Sequence, residues 1–193
     1  VFWRQAAAGL RLLVVMTVVC GVVYPLVVWA VAQAAFGDRA DGSAVRDADG
    51  RLIGSDLLGQ DFDGPGWFRS RPGSYDAAAP GPSGLGPDSA VLLREVERRR
   101  AAVAEAEGVP AREVPPDALT GSGSGLDPHI SSAYARLQVD RIARERGVAR
   151  ELVRELVEAR VEGRVLGFLG QERVNVLELN RALLLYPGQG GGR

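Results

Sequence analysis

The residues with the richest chemistry lie close together. Ser122, Ser124, Asp127 and His129 fall within the run Gly121-Ser122-Gly123-Ser124-Gly125-Leu126-Asp127-Pro128-His129-Ile130. A hydroxyl, an imidazole and a carboxylate are the parts of a nucleophilic triad, so a serine hydrolase using Ser122 or Ser124 with His129 is the first reaction class to weigh. The spacing speaks against it. The nucleophile elbow Gly-x-Ser-x-Gly needs serine two places after its first glycine, and that place holds Gly123. A glycine-rich turn capped by Asp127, with His129 hydrogen-bonded at a helix start, uses the same residues structurally. A His129→Ala variant separates the two: a hydrolase loses turnover and an accessory protein does not.

Other chemistries fall on composition. The same glycines suit a phosphate cradle, but Gly-x-Gly-x-x-Gly fails because residue 126 is Leu. All 23 basic residues are Arg, so a Walker lysine, a Schiff-base lysine and a kinase lysine are excluded. One Cys and one His exclude an intrachain disulfide and a thiolate or imidazole zinc site within one chain. Asp61 and Asp63 are too few for an EF-hand loop. A formal net charge of -1 lacks the basic footprint of a nucleic-acid binder. Trp67, Phe68 and Tyr75, interleaved with Gly and Pro over residues 63–87, suggest a third class, a receptor whose pocket those aromatics line.

The elements that must carry these residues divide sharply. Leu12 to Gly37 is a charge-free run of 26 residues, longer than the roughly 20 apolar residues a spanning helix needs. Pro25 and Gly21 sit mid-run, where a membrane helix tolerates them, and Trp3 and Phe36 lie near its ends as interface anchors. Cys20 inside the run reads as packing. A cleaved signal peptide, with Arg4 and Arg11 as its basic region and Ala32-Gln33-Ala34 as its cleavage site, is the rival, but a signal core is only about 7–15 residues long. Arg4 and Arg11 precede the run, and Asp38, Arg39 and Asp41 follow it without basic excess. The positive-inside rule therefore places the N-terminus in the cytoplasm and the remainder outside.

The expected organisation is a short cytoplasmic segment at 1–11, a transmembrane helix at 12–36, an extracytoplasmic domain at 38–187 and a flexible tail at 188–193. All but two of the Arg lie beyond residue 37, 21 against 24 acidic residues, giving that part a net charge of -3. Asp49-Gly50 between short apolar runs predicts a hairpin, and Leu57 to Phe62 predicts more extended chain. Ser89 or Asp88 caps a helix that runs to Glu107 and stops at Gly108. Its apolar positions are Leu92, Val96 and Val103, and Arg98-Arg99-Arg100 reads as a solvated face. Further helices are expected over 131–146 and 149–162, the latter with an apolar stripe of Leu152, Val153, Leu156, Val157 and Val161. Arg173 to Leu179 alternates as a strand, with 180–185 turning helical. The fold class is an α+β extracytoplasmic domain on a single N-terminal transmembrane helix.

Several stretches, taken together, resemble the C-subunit family of the Kdp-type potassium-transporting ATPases. They are Gly121 to Ser131, Glu162 to Gly170, Arg173 to Asn180, Tyr24-Pro25, Ile53-Gly54-Ser55, Gly59-Gln60-Asp61-Phe62, Trp67-Phe68-Arg69-Ser70-Arg71-Pro72 and Leu85-Gly86-Pro87, in family order over nearly the whole chain. The resemblance implies a bacterial inner-membrane complex. Its partners are a channel-like A subunit that carries potassium, a P-type ATPase B subunit that hydrolyses ATP, and a small F subunit. This chain is implied to be a non-catalytic accessory subunit for assembly and stabilisation, with no cofactor of its own, and also to raise the complex's nucleotide affinity. A domain outside the membrane would have to exert that effect through its helix. The family motif positions implied to contact partners or shape the domain are Tyr24, Pro25, Gln60, Arg71, Pro72, Gly123, Ser124, Gly125, Asp127, Pro128, His129, Gly163, Arg164, Gly167, Asn175 and Asn180. The chain departs from the family pattern at Gly84, at Asp140, and at Arg160-Val161. A P-type ATPase needs an Asp-Lys-Thr-Gly motif, which a chain without lysine does not contain.

Overall fold

A computed structural model describes residues 2–47 and 49–186, so the tail expected at 188–193 lies outside the described residues. The chain divides into two compact units at Ile53/Gly54.

In the first unit, one helical rod runs from Phe2 to Ala40. It comprises helix α1 (Phe2–Val18), a π-helical turn (Val19–Val23) and helix α2 (Tyr24–Ala40). The wide turn directly precedes Pro25 and has a local cause. Proline has no N–H and its ring collides with the carbonyl four residues back, and a π turn relieves that collision without breaking the rod. The Tyr24 N–H accordingly reaches back to the Val19 carbonyl. The rod is long and apolar enough to cross a membrane, and none of its most apolar window is buried within the chain. At about 1.5 Å per residue the charge-free stretch alone measures about 39 Å, against a hydrocarbon core of about 30 Å. Phe36 leaves helical geometry (φ -144°, ψ 40°) where that stretch ends. Strands β1 (Ala44–Arg46) and β2 (Leu52–Ser55) follow as a two-stranded sheet around Asp49-Gly50, as the turn signal predicts.

The second unit is a mixed α+β domain. Helix α3 (Ala90–Glu107) starts on the Ser89 hydroxyl and ends with Gly108 left-handed at φ 69°, as its sequence predicts. Strand β3 (His129–Ser131) leads into α4 (Ser132–Leu137), α5 (Val139–Arg146) and α6 (Arg150–Glu158), and strand β4 (Arg173–Asn175) leads into α7 (Val176–Leu184). β3 and β4 pair antiparallel, with His129 opposite Asn175, Ile130 opposite Val174 and Ser131 opposite Arg173. The core collects Phe68, Val114, Leu119, Ile130, Tyr134, Val139, Ile142, Val153, Leu156, Val157, Val174, Val176, Leu179 and Leu183.

Four expectations are corrected. The helix expected over 131–146 begins as strand β3 and breaks at Gln138, whose N–H bonds to the Ala135 carbonyl three residues back. The helix expected over 149–162 stops at Glu158 because Glu162 pairs with Arg173 in an antiparallel bridge. The strand expected over 173–179 becomes helix after Asn175, whose side chain caps the N–H groups of Leu177 and Glu178. Val176 and Leu177 are both buried, which one face of a strand does not allow. Leu57 to Phe62 forms a turn and irregular chain, not strand, and the Gly59 N–H bonds to the Leu126 carbonyl at 2.7 Å.

Candidate functional site

The glycine-rich run folds back on itself. The hydroxyls of Ser122 and Ser124 lie 3.3 Å apart. Ser122 accepts from the Asp127 N–H, and Ser124 accepts from the Leu126 N–H at 3.1 Å. Its outward carbonyls are taken by the preceding segment: Gly81 N–H bonds to Ser124 O at 2.8 Å, Tyr75 N–H to Gly125 O at 3.3 Å and Gly59 N–H to Leu126 O. The approach is close enough to dictate glycine. A Cβ on Gly59 would stand 2.6 Å from the Asp127 carbonyl, and one on Gly125, which is also left-handed at φ +71°, would stand 2.8 Å from the Gly81 carbonyl.

Asp127 is the hub. It accepts from the His129 backbone N–H at 3.0 Å, meets His129 Nδ1 at 3.3 Å and pairs with Arg71 at 3.2 Å. The His129 contacts, helped by Arg71, hold its carboxyl below the usual carboxylate range against partial burial. Arg71 also donates to the carbonyls of Thr120 and Gly121, at 3.4 and 3.3 Å, and its own carbonyl accepts from the Tyr75 hydroxyl. The Pro128 carbonyl accepts from the Val176 N–H, which ties the run to the start of α7. Asn175, besides capping α7, donates to the Asp56 carbonyl at 2.9 Å.

Beside the hub is an open cleft of about 600 Å³, lined by Arg71, Asp117, Asp127, His129, Glu172 and Arg173 among others. Its charges are largely engaged within the chain. Asp117 holds the N–H and hydroxyl of Ser131 at 2.7 and 2.9 Å, Arg173 pairs with Glu162 at 2.8 Å, and Glu172 accepts from Ser132. His129 Nε2 stands 4.0 Å from the Glu162 carboxylate. Neither Ser122 nor Ser124 bonds to His129, so the nucleophile–base contact a hydrolase requires is replaced by contacts within the loop. Among the described residues, no group of three or more His, Cys, Asp or Glu side chains is placed to hold a metal.

A second device holds the segment before the hub. The backbone of residues 65–69 lies in no sheet, yet side chains pair its carbonyls and the N–H groups of Phe68 and Arg69. Asn180 accepts from the Phe68 N–H at 2.9 Å and donates to the Phe68 carbonyl at 3.0 Å. Gln138 does the same for Arg69, at 2.7 and 3.2 Å. Two side-chain amides thus stand in for a neighbouring strand. Arg141 donates to the carbonyls of Pro65 and Trp67, and Arg146 donates to Gly66 O at 2.7 Å while stacking 4.2 Å over the Trp67 ring. Arg141 is itself buried against Glu107 at 2.9 Å. Burial pushes the Glu107 carboxyl up and Arg141 opposes that shift.

The sequence-derived positions sort accordingly. Arg71, Ser124, Gly125, Asp127, Pro128, His129 and Asn175 meet at the hub. Pro72 borders it, its carbonyl 3.1 Å from where a Cβ on Gly121 would stand. Gln60 accepts from the Ser70 hydroxyl, and Gly123 is exposed. Asn180 belongs to the clasp around Phe68. Gly163, Arg164 and Gly167 lie in a turn between Glu162 and Arg173, and Tyr24 and Pro25 lie in the apolar rod. The aromatic pocket expected of a receptor does not form: Phe68 is fully buried, Trp67 packs against Phe62 and Arg146, and Tyr75 bonds to the chain. Of the departures from the family pattern, Gly84 is left-handed at φ +68°, Asp140 pairs with Arg150, and Arg160 bonds to Leu156 O at 3.4 Å. Sequence reasoning missed Glu107, Gln138, Arg141 and Arg146. The available signal was polar residues interrupting apolar neighbours, as Arg141 does between Val139 and Ile142.

The family model described as "KdpC: K+-transporting ATPase, c chain" matches residues 6–184. A potassium-transporting ATPase KdpC subunit of Kineococcus radiotolerans is 53% identical over 184 residues, covering 93% of each chain. Subunits of the same name from Caulobacter vibrioides and Streptomyces coelicolor are 49% and 44% identical, covering 86% and 97% of this chain and 86% and 96% of their own. Matches of this extent, with the apolar rod and the α+β domain in place, show that the chain belongs to the KdpC family and is a membrane subunit of a K+-transporting ATPase.

Proposed function

We propose that the chain is a non-catalytic accessory subunit that stabilises the assembly of the channel-like, potassium-carrying A subunit with the ATP-hydrolysing B subunit and the small F subunit. Residues 12–36 cross the bacterial inner membrane with the N-terminus in the cytoplasm, and the domain beyond lies outside. The two basic residues before the charge-free run support that direction.

The observation that carries the reading is the internal use of the signature loop. The N–H groups of Leu126 and Asp127 point to the loop's own serine hydroxyls, and its carbonyls are taken by residues 59–81. Those two N–H groups are therefore not offered to a phosphate. The motif therefore reads as a clasp that fixes the shape of a docking domain, and ATP and potassium are handled by the partners. An effect on nucleotide affinity would travel through the membrane helix as a coupling free energy.

Deletion of residues 38–193, leaving the helix, tests the proposal. The expected result is loss of co-assembly and of potassium transport. Intact assembly and transport in the deletion would contradict it.

A further inference from the structure

We propose that residues 162–173 form a docking arm whose tip enters an apolar cleft, rimmed by a carboxylate, on a second subunit of the K+-transporting ATPase; this rests on the accessory-subunit reading above. Glu162 and Arg173 form an antiparallel bridge beside β4, and Val165 and Leu169 form a second one, closed by two bonds of 2.9 Å. The chain between them folds into a tight two-stranded arm. Its tip is apolar and bare: Val165 is 60% exposed, Leu166 79%, Phe168 68% and Leu169 49%. Contiguous exposed apolar side chains of this size mark interaction sites in soluble domains. Leu166 takes φ +55°, a left-handed conformation that a leucine rarely adopts. Strain held at an exposed tip fits a side chain kept in position for something outside the chain.

Two features identify a protein surface. Gly163 is not left-handed, and a Cβ there would meet nothing within 4 Å. Neither conformation nor packing in this chain requires glycine at that place, whereas close approach by another backbone does. Lipid chains are fluid and rearrange around a methyl group, so Gly163 favours a shaped partner. Arg164 is exposed and makes no ion pair among the described residues, while Glu162 is already paired with Arg173. The arm thus offers one free cation beside four apolar side chains. A carboxylate at the rim of an apolar cleft complements it, and membrane surfaces are held by clusters of basic residues that the arm lacks.

The test uses the full chain produced together with the other subunits in native membranes. A photo-cross-linking amino acid at Leu166 is expected to give an adduct with another subunit. The double variant Leu166→Asp/Phe168→Asp, and separately Gly163→Leu, should lower the ATPase subunits recovered with the chain about tenfold without changing its own Tm. Adducts to phospholipid alone, or wild-type recovery with both variants, would overturn the proposal. If the unsubstituted chain recovers no ATPase subunit, the accessory reading itself fails; if it does and the variants do as well, only the arm is refuted.

Discussion

Asn180 shows what one side chain holds in place. It is 1% exposed and pairs with both polar groups of the Phe68 backbone. Asn180→Leu keeps the γ-branched shape and removes both partners. Each of the two buried backbone groups left unpaired costs roughly 1–3 kcal/mol, so the variant should lose about 2–6 kcal/mol, read as a lower Tm in mild detergent. Asp127 supplies a pH signature. Its carboxyl titrates below its unfolded value because His129 and Arg71 favour the charged form. The unfolded state therefore binds the proton more readily, so this stability is present above the ordinary carboxylate pKa and is lost as pH falls through the depressed one. Asp127→Asn should flatten that part of the fall in Tm on acidification below about pH 4, and an unchanged acid profile would contradict the hub assignment. The residue types at the hub were legible in the sequence. Their roles were not, because the partners of Asp127 include Arg71 and those of Asn180 include Phe68, residues far along the chain that spacing does not reveal.

At the scale of elements, local signals succeeded where one residue decides the outcome. Ser89 and Gly108 bound α3 as read, and Asp49-Gly50 turns the first hairpin. Expectations failed where tertiary pairing overrode periodicity. β3 is only three residues long and exists because β4 lies beside it, and α6 ends early because Glu162 is drawn to Arg173. Asn175 switches β4 to α7, capping two N–H groups while its amide reaches Asp56. Loss of an N-cap costs about 0.5–2 kcal/mol. Asn175→Ala should fall at the upper end of that range, since the bond to Asp56 goes too. Asn175→Asp, which keeps the cap and loses the amide donor, should recover part of the lost Tm. Equal Tm for the two variants would show that the cap contributes little. The π turn before Pro25 was foreshadowed only as a tolerated proline, since periodicity does not report how a helix accommodates one.

At the scale of the molecule, the chain combines an apolar rod with a domain whose polar groups are largely spent on its own architecture. The division into an apolar segment and an α+β domain was plain from the charge-free run, because exclusion of charge over that length has few other causes. The exposure of apolar side chains such as Leu166 and Phe168 was not legible, because a sequence pattern does not distinguish them from core. On the proposed reading, this chain stabilises the ATPase without performing its chemistry. The most direct measurement is potassium-stimulated ATP hydrolysis by the complex recovered from membranes with and without this chain. A tagged chain is expected to bring down the ATP-hydrolysing and channel-like subunits, and its omission to remove the stimulated activity. A chain that comes down alone while those subunits are present in the same membranes, or full stimulated activity in its absence, would contradict that reading.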